Sequence, residues 1–429
     1  MEIDTGREMF RWASDLFPIQ RSLTGPGVRQ TLAYLKRLMP ELALHSIPSG
    51  TTVLDWTVPD EWTLRSAHIE DENGKRWIDL ANSNLHVVGY SEPVDAWFSL
   101  DELQPYLHSL PDQPDAIPYI TSYYQRRWGF CLSHNERSAL PPGRYRAVID
   151  STLAPGVLDW GELLVPGESR QEVLLSTYIC HPSMANNELS GPVVVTALAR
   201  WISAMPRRRL SYRILFVPET IGAIVQLSRH LDTMRRHTIA GFVATCCGDD
   251  APFTYMPSRL GGTLADRLAR HVLDRHAPGY RTASFLHRGS DERQYCSPGV
   301  DLPVISIMRS MYAQYPQYHT SLDDLSFISP GGLAGSLEIL KRCISILEAN
   351  VLFKTTVLGE PQLGRRGLYP TLSTKQSAAT VHDILNVLAY ADGDHDLIAL
   401  ADRIGLDALD CERIARALVE AGVMTVVEA

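Results

Sequence analysis

VLLSTYIC (residues 173–180) runs directly into HPSMANNELSG (181–191), and the fold is decided by how this stretch divides. The first part is apolar and β-branched throughout, the pattern of a strand covered on both faces. The second begins at His181, with Pro182 behind it to stop the strand, and ends at Ser190-Gly191, where the apolar run GPVVVTALARWISAM (191–205) takes over with helical spacing. A strand that passes into a helix in this way is half of a βαβ unit. It sets His181 at the carboxyl edge of an open sheet, where such sheets bind ligands.

Working outward, the same alternation continues through YRILFVP (212–218), TIGAIVQLSRHLDTM (220–234), IAGFVATCC (239–247), GTLADRLARHVLDRH (262–276), LPVISIM (302–308) and LAGSLEILKRCISILEAN (333–350). Alternating strands and helices predict an α/β/α sandwich with a mostly parallel central sheet. We assign it residues 151–355 together with 1–55, where FRWASDLFPIQ and VRQTLAYLKRLMP read as helices around the turn RSLTGPG. Between them, residues 56–150 change texture to short strands, prolines and aromatics: DEWTLRSAHI, KRWIDLA, LHVVGYS, IPYITSYYQRRWGFCLS and YRAVIDSTL. This predicts a small inserted β-rich domain. The remainder, 356–429, contains HDLIALADRIGLDALDCERIARALVEAGVMTVV, the helix, turn, helix and short strand of a winged helix.

A chain of 429 residues, 45% hydrophobic and 21% charged, fits two or three globular domains. A formal net charge of −9 without a basic run argues against nucleic acid or an anionic membrane as partner. The winged-helix stretch is tested most directly: from Thr380 onward it holds three basic residues against ten acidic ones, the wrong sign for neutralising phosphates. We therefore expect it to dock or dimerise, which leaves room for a homodimer. The opening MEIDTGREMFRW has no apolar leader and no stretch suits a membrane span, so a cytoplasmic location is expected. Seven scattered cysteines give neither a disulfide framework nor a cysteine zinc site.

Four segments at strand ends collect the titratable residues: CHPSMANNELSG; VPETIGA with Glu219; CCGDD with Asp249 and Asp250; and RGSDERQY with QYPQYHTSLDD, carrying Asp291, Glu292, His319, Asp323 and Asp324. In a parallel sheet these converge on one edge. Two histidines with carboxylates there suit zinc, which takes imidazole nitrogen and carboxylate oxygen and keeps a position for water. Each residue also has a plainer reading. Glu188 and Glu219 suit helix N-termini, Asp249 and Asp250 suit solvated turns, and Asp323 and Asp324 suit a helix cap or a partner for His319. Asp291 or Glu292 suits either a substrate amino group or an ion pair with Arg288 or Arg293. In SYYQRRWGFCLS, the side chains of Tyr123, Tyr124, Arg126, Arg127 and Trp128 suit either the cleft or the body of the β domain.

The ordered set His, N-N-E-L-S-G, P-E-T-I-G and Y-H-T-S-L-D-D resembles the zinc aminopeptidases of the bacterial leucyl type. Their pattern is a strand-end His, D-D-N-A-S-G, E-E-x-G, an Asp, then Y-H-T-x-x-D. Nearly the whole chain resembles a bacterial aminopeptidase-like family with an inserted small β domain and an appended winged helix, often encoded among polysaccharide or natural-product biosynthesis genes. The stretches that carry this are RSLTGPGVRQTL, SGTTVLDWTVPDEW, IPYITSYYQRRWGFC, CHPSMANNELSGP, VPETIGA, GSDERQYCSPGVDLP and YHTSLDDL.

The resemblance implies that His181 and His319 are metal ligands and that Glu219 is the general base. Three positions depart from it. The bridging aspartate falls on Asn187, the second glutamate of E-E-x-G falls on Thr220, and the next aspartate falls near Thr245, with Asp249 a few residues late. Glu188, one place beyond Asn187, is the replacement carboxylate. The expected site is one zinc on His181, Glu188 and His319, with Glu219 as base. Asp291, Glu292, Tyr123, Arg126 and Asn187 are expected against substrate, and Asp249, Asp323 and Asp324 behind the ligands. The implied activity is hydrolysis of an amide or peptide bond in a small or short peptide-like substrate. A catalytically altered scaffold and an amide-forming or transfer enzyme are the alternatives.

Overall fold

The computed structural model describes residues 2–367 and 375–427, and forms two compact units, residues 1–265 with 280–338, and 266–279 with 339–429. The first unit is built on an eight-stranded sheet in the order Ala43–Pro48, Val157–Val165, Ser211–Val217, Glu172–Tyr178, Thr238–Val243, Val304–Met308, Thr254–Met256, Arg281–Thr282. Its four central strands, from Ser211–Val217 to Val304–Met308, run parallel, while the pairings that flank them on either side are antiparallel. The strand Glu172–Tyr178 is buried from Val173 onward, as its unbroken apolar run requires.

The helix that follows, Ser190–Ser203, lies against this sheet at the closest spacing Gly191 permits. A Cβ there would collide with the Ala244 carbonyl and the Thr177 hydroxyl. Gly222, in the helix Ile221–His237, plays the same part, since a Cβ would come within 2.6 Å of Val217 Cβ.

The inserted region carries its own four-stranded antiparallel sheet, ordered Arg76–Asp79, Glu61–Asp71, Arg144–Ala154, Val94–Ser99. Two sequence expectations fail here. LHVVGYS forms a short 3₁₀ turn, Asn84–His86, rather than a strand, and IPYITSYYQRRWGFCLS is irregular except at Phe130–Cys131. Beyond that short strand's own pairing the latter makes single bridges, Val87 with Phe130, Gly89 with Thr121 and Pro118 with Thr320, because its tyrosines turn toward the main sheet edge instead of alternating across a sheet. The fourth strand, Val94–Ser99, comes from a segment that was not read as a strand.

The second unit contains a three-stranded sheet, Asp392–Asp396, Leu352–Thr355, Met424–Val427, with the helices Lys375–Tyr390, Leu397–Ile404 and Ala408–Glu420. Its bounds differ from the expected 356–429. Leu352–Thr355 pairs with both other strands, and residues 266–279 join the unit through His271, which meets Asp402 at 2.7 Å and accepts from Ala408 N. Residues 368–374 and 428–429 of the expected range lie outside the described residues. No described helix is long and apolar enough to cross a membrane.

Candidate active site

Because the central strands are parallel, the segments after Tyr178, Val217, Val243 and Met308 leave from one edge. His181 stands there, buried, three residues beyond its strand. Its Nδ1 meets Glu188 Oε2 at 2.7 Å, and its Nε2 faces Glu219 Oε2 at 3.7 Å. The His319 ring lies 5.4 Å from the His181 ring, stacked on Tyr318 at 3.9 Å and edge-on to Tyr119. The main-chain carbonyl of His319 accepts from Tyr119 N at 2.8 Å, so the irregular inserted segment is pinned to this loop.

Four non-glycine residues around the site, Ser183, Thr220, Cys246 and His319, hold positive φ between 41° and 66°. Such conformations cost energy and persist where surrounding contacts over-determine them.

A cavity of about 330 Å³ opens over these groups, a size suited to a small ligand. Its wall includes His181, Glu219, Thr220, Arg293 and His319 from the α/β portion, and Trp56, Tyr119, Thr121, Tyr123 and Tyr124 from the inserted region. Burial pushes both His181 and His319 down to about 3, so both imidazoles are neutral at physiological pH. Burial, reinforced by Asp291, holds the Glu219 carboxyl well above the usual carboxylate range, although 21% of its side-chain surface remains open to the cavity.

Glu188, expected on the metal, does not line the cavity. It is buried against Arg21, whose Nε lies 3.7 Å from Oε1, and burial raises its carboxyl pKa. Arg21 in turn donates to the carbonyls of His181 and Leu16. Glu188 thus holds the Nδ1 side of His181, the relation a carboxylate has to a metal-binding histidine from behind. Cys180, His181 and Glu188 are the one described group whose potential ligand atoms all lie within 4.8 Å of one another, and His319 is outside it.

The remaining expected residues separate. Tyr123 reaches the cavity, its hydroxyl 2.7 Å from that of Tyr119. Arg126 lines a neighbouring groove, where it pairs with Asp60 at 3.2 Å and Glu92 at 3.8 Å. Asn187 sits behind the site, donating from Nδ2 to Tyr178. Asp323 accepts from the main-chain N–H groups of Asn186 and Asn187 and from Tyr315, so it caps the wide helical turn Ala185–Leu189; burial raises its pKa to about 6. Asp249 secures Asn186 Nδ2 and Ser310, and Asp324 closes a local turn at Ser326.

Asp291 accepts from Thr220 N at 2.6 Å, while Glu292 accepts from Gly289 N, Ser290 N and Tyr312. Neither lines the cavity. Sequence reading missed Tyr119, Trp56, Cys180 and Arg293 in the wall and Arg21 behind it. All five lie in stretches that carry the family resemblance, which by itself did not assign them to the site.

The sequence profile of a domain of unknown function, DUF4910, matches residues 10–350. The chain belongs to the DUF4910 family. A winged helix-turn-helix profile matches residues 351–426 of this DUF4910 protein, in accord with the second unit. It is 41% identical over 406 residues to a Clostridium acetobutylicum protein named as a candidate polysaccharide biosynthesis protein with an aminopeptidase-like domain, covering 94% of this chain and 93% of that one. The crystal structure of a candidate peptidase from Clostridium acetobutylicum superposes with a TM-score of 0.94 at 40% identity, covering 99% and 97% of the two chains. The zinc aminopeptidase BSAP from Bacillus subtilis matches at a TM-score of 0.55 and 11% identity, covering 80% of this chain and 94% of that one, a likeness of fold. The α/β fold of the DUF4910 region is therefore that of the zinc aminopeptidases, with a winged helix appended.

Proposed function

We propose that this protein is a zinc-dependent hydrolase of the aminopeptidase or amidase type, cleaving an amide or peptide bond of a small biosynthetic intermediate. The observation that carries this is the meeting of His181 Nε2, Glu219 and His319 in one cavity. The residues fit zinc: two neutral imidazoles are among its ordinary ligands, and Glu219 stands beside them as a base. With Nδ1–H of His181 donating to Glu188, Nε2 keeps its lone pair toward the cavity. His181 and His319 would hold a single ion.

When bound, zinc supplies Lewis acidity, polarising the scissile carbonyl and acidifying water. Glu219 takes the proton of the attacking water and returns it to the leaving amine; a carboxyl with a raised pKa is suited to both transfers near neutral pH. The aromatic wall of Trp56, Tyr119 and Tyr123 excludes water from the opposite side and packs the apolar part of the substrate. The name of the Clostridium acetobutylicum relative supports a biosynthetic substrate.

Asn187 and Thr220, where the aminopeptidases carry metal-binding carboxylates, favour a second reading, a binding scaffold without turnover. Elemental analysis with zinc titration decides. The hydrolase reading expects about one zinc per chain, lost in His181→Ala and His319→Ala. Glu219→Gln should keep the ion and lose roughly 100- to 10,000-fold in turnover of aminoacyl or amide substrates. Absence of zinc from carefully handled protein would favour the scaffold, and loss of zinc in Glu219→Gln would make Glu219 a ligand instead of the base.

A further inference from the structure

Among the described residues lining the cavity, Arg293 is the one permanently charged cation, and it makes no close ion pair, although its charge is felt at longer range by Glu219 and Asp291. Its Nη2 donates to the Thr220 hydroxyl at 2.5 Å, its buried Nε has no hydrogen-bond partner, and no carboxylate among the described residues forms an ion pair with it. The acids adjoining it in sequence each commit one oxygen elsewhere and make no close ion pair with it. Asp291 holds Thr220 N, and Glu292 holds Gly289 N, Ser290 N and Tyr312. Thr220 is central to this arrangement. A glutamate at that position would pair with the guanidinium, whereas a hydroxyl accepts its hydrogen bond and leaves the charge available.

The consequence for ligand charge is direct. A free amino group in this cavity would meet a guanidinium, and no carboxylate other than Glu219 lines the wall to receive it. A carboxylate would satisfy the unmatched guanidinium with charge-assisted hydrogen bonds, the strongest of their kind when bidentate.

Resting on the reading of this cavity as the substrate site, we propose that Arg293 is the receptor for a carboxylate of the substrate. The compound is then an amide that carries a free carboxylate, such as an N-acyl amino acid or the C-terminal end of a short peptide, and not one recognised by a free amine. Arg293 determines specificity through the anion, while Tyr119, Tyr123 and Trp56 receive the body of the molecule.

The test is binding to the full-length chain by isothermal titration calorimetry at about pH 7.5, with N-acetyl-L-tyrosine and its neutral isostere N-acetyl-L-tyrosinamide. Metal-free and zinc-loaded protein are compared for the native sequence, Arg293→Met, Arg293→Lys and Thr220→Glu. In metal-free native protein the carboxylate should bind roughly 10- to 100-fold more tightly than the amide. Arg293→Met and Thr220→Glu should bring the two within about twofold, and Arg293→Lys should keep part of the preference. Equal affinities in the native protein, no binding of the carboxylate, or a preference that persists in Arg293→Met each overturn the proposal.

The two zinc states separate this proposal from the hydrolase reading. A preference that needs zinc and survives Arg293→Met assigns the anion to the metal, overturning the proposal while leaving the hydrolase intact. A preference lost in Arg293→Met, in a protein that takes up no zinc, upholds the receptor and removes the hydrolase.

Discussion

Removing the Glu188 charge should destabilise the first unit more than any surface substitution, because Arg21 is left with no counter-charge in a dry environment. Both side chains have no exposed surface, and Arg21 Nε lies 3.7 Å from Glu188 Oε1. At that distance, with an effective dielectric constant of about 20, the attraction is about 4–5 kcal/mol. Breaking a buried pair by removing one partner costs about 3–5 kcal/mol, a large share of a typical stability of about 5–15 kcal/mol. Arg21→Met should cost a similar amount, since it exposes the buried Glu188 to its full desolvation penalty and gives up the hydrogen bonds to His181 O and Leu16 O.

The double variant Arg21→Met/Glu188→Gln leaves neither charge unpaired. Its cost should fall about 2–3 kcal/mol short of the sum of the singles. Tryptophan fluorescence in urea is the suitable assay, because all eight tryptophans lie within residues 1–265 and so report on the first unit alone. Glu188→Gln should also weaken zinc binding by about 10- to 100-fold through the loosened His181 ring, without abolishing it. Single and double costs that add to within about 0.5 kcal/mol would refute the paired-charge account, and complete loss of zinc in Glu188→Gln would return Glu188 to the ligand set.

Other consequences follow from the packing. Gly191→Ala forces a methyl into the Ala244 carbonyl and should lower stability by about 1–3 kcal/mol or more, read in the same urea transition. Asp323→Ala removes the acceptor of two main-chain N–H groups at the start of the helical turn and should cost about 1–2 kcal/mol, whereas Asp324→Ala should stay within about 0.5 kcal/mol. All seven cysteines are free and buried, with burial pushing Cys131, Cys246, Cys343 and Cys411 up to about 12. A thiol reagent should therefore find fewer than one in the native protein and all seven in denaturant; rapid native reaction would contradict the packing. The acidic winged helix should retain no duplex DNA in a mobility assay at about 0.1 M salt, and a salt-sensitive shift would overturn the expectation drawn from its charge.

The fold was legible where one periodicity dominated. The strand Glu172–Tyr178 and the helix Ser190–Ser203 follow from an unbroken β-branched run and from apolar residues at helical spacing, with Pro182 in the connection between them. The inserted region was less legible because its pattern is mixed. Tyr119 and Tyr123 look like strand residues, yet their partners are a distant loop and the main sheet edge, which local pattern cannot encode. The second unit's boundary failed for a related reason. Leu352–Thr355 has a strand's composition in either domain, and only its pairing with Asp392–Asp396 and Met424–Val427 assigns it.

At the site, sequence order was enough to bring His181, Glu219 and His319 together, since parallel strands deliver their carboxyl ends to one edge. It was not enough to say which side of an imidazole a carboxylate would take. Glu188 is seven residues beyond His181, and the wide turn Ala185–Leu189 carries it to Nδ1 instead of the cavity. Its buried companion Arg21, remote in sequence, explains why a second cation is unwelcome on that side, since a metal there would compete with a guanidinium already 3.7 Å from the carboxylate. The same argument, turned round, applies to the cavity face: with Asn187 drawn to Tyr178 and Thr220 bonded to Arg293, the positive charge that a second metal would bring is supplied by the chain itself. On the proposed reading, a single-ion site beside a fixed guanidinium is what the altered residues would jointly produce, and the charge of the substrate would have to complement both.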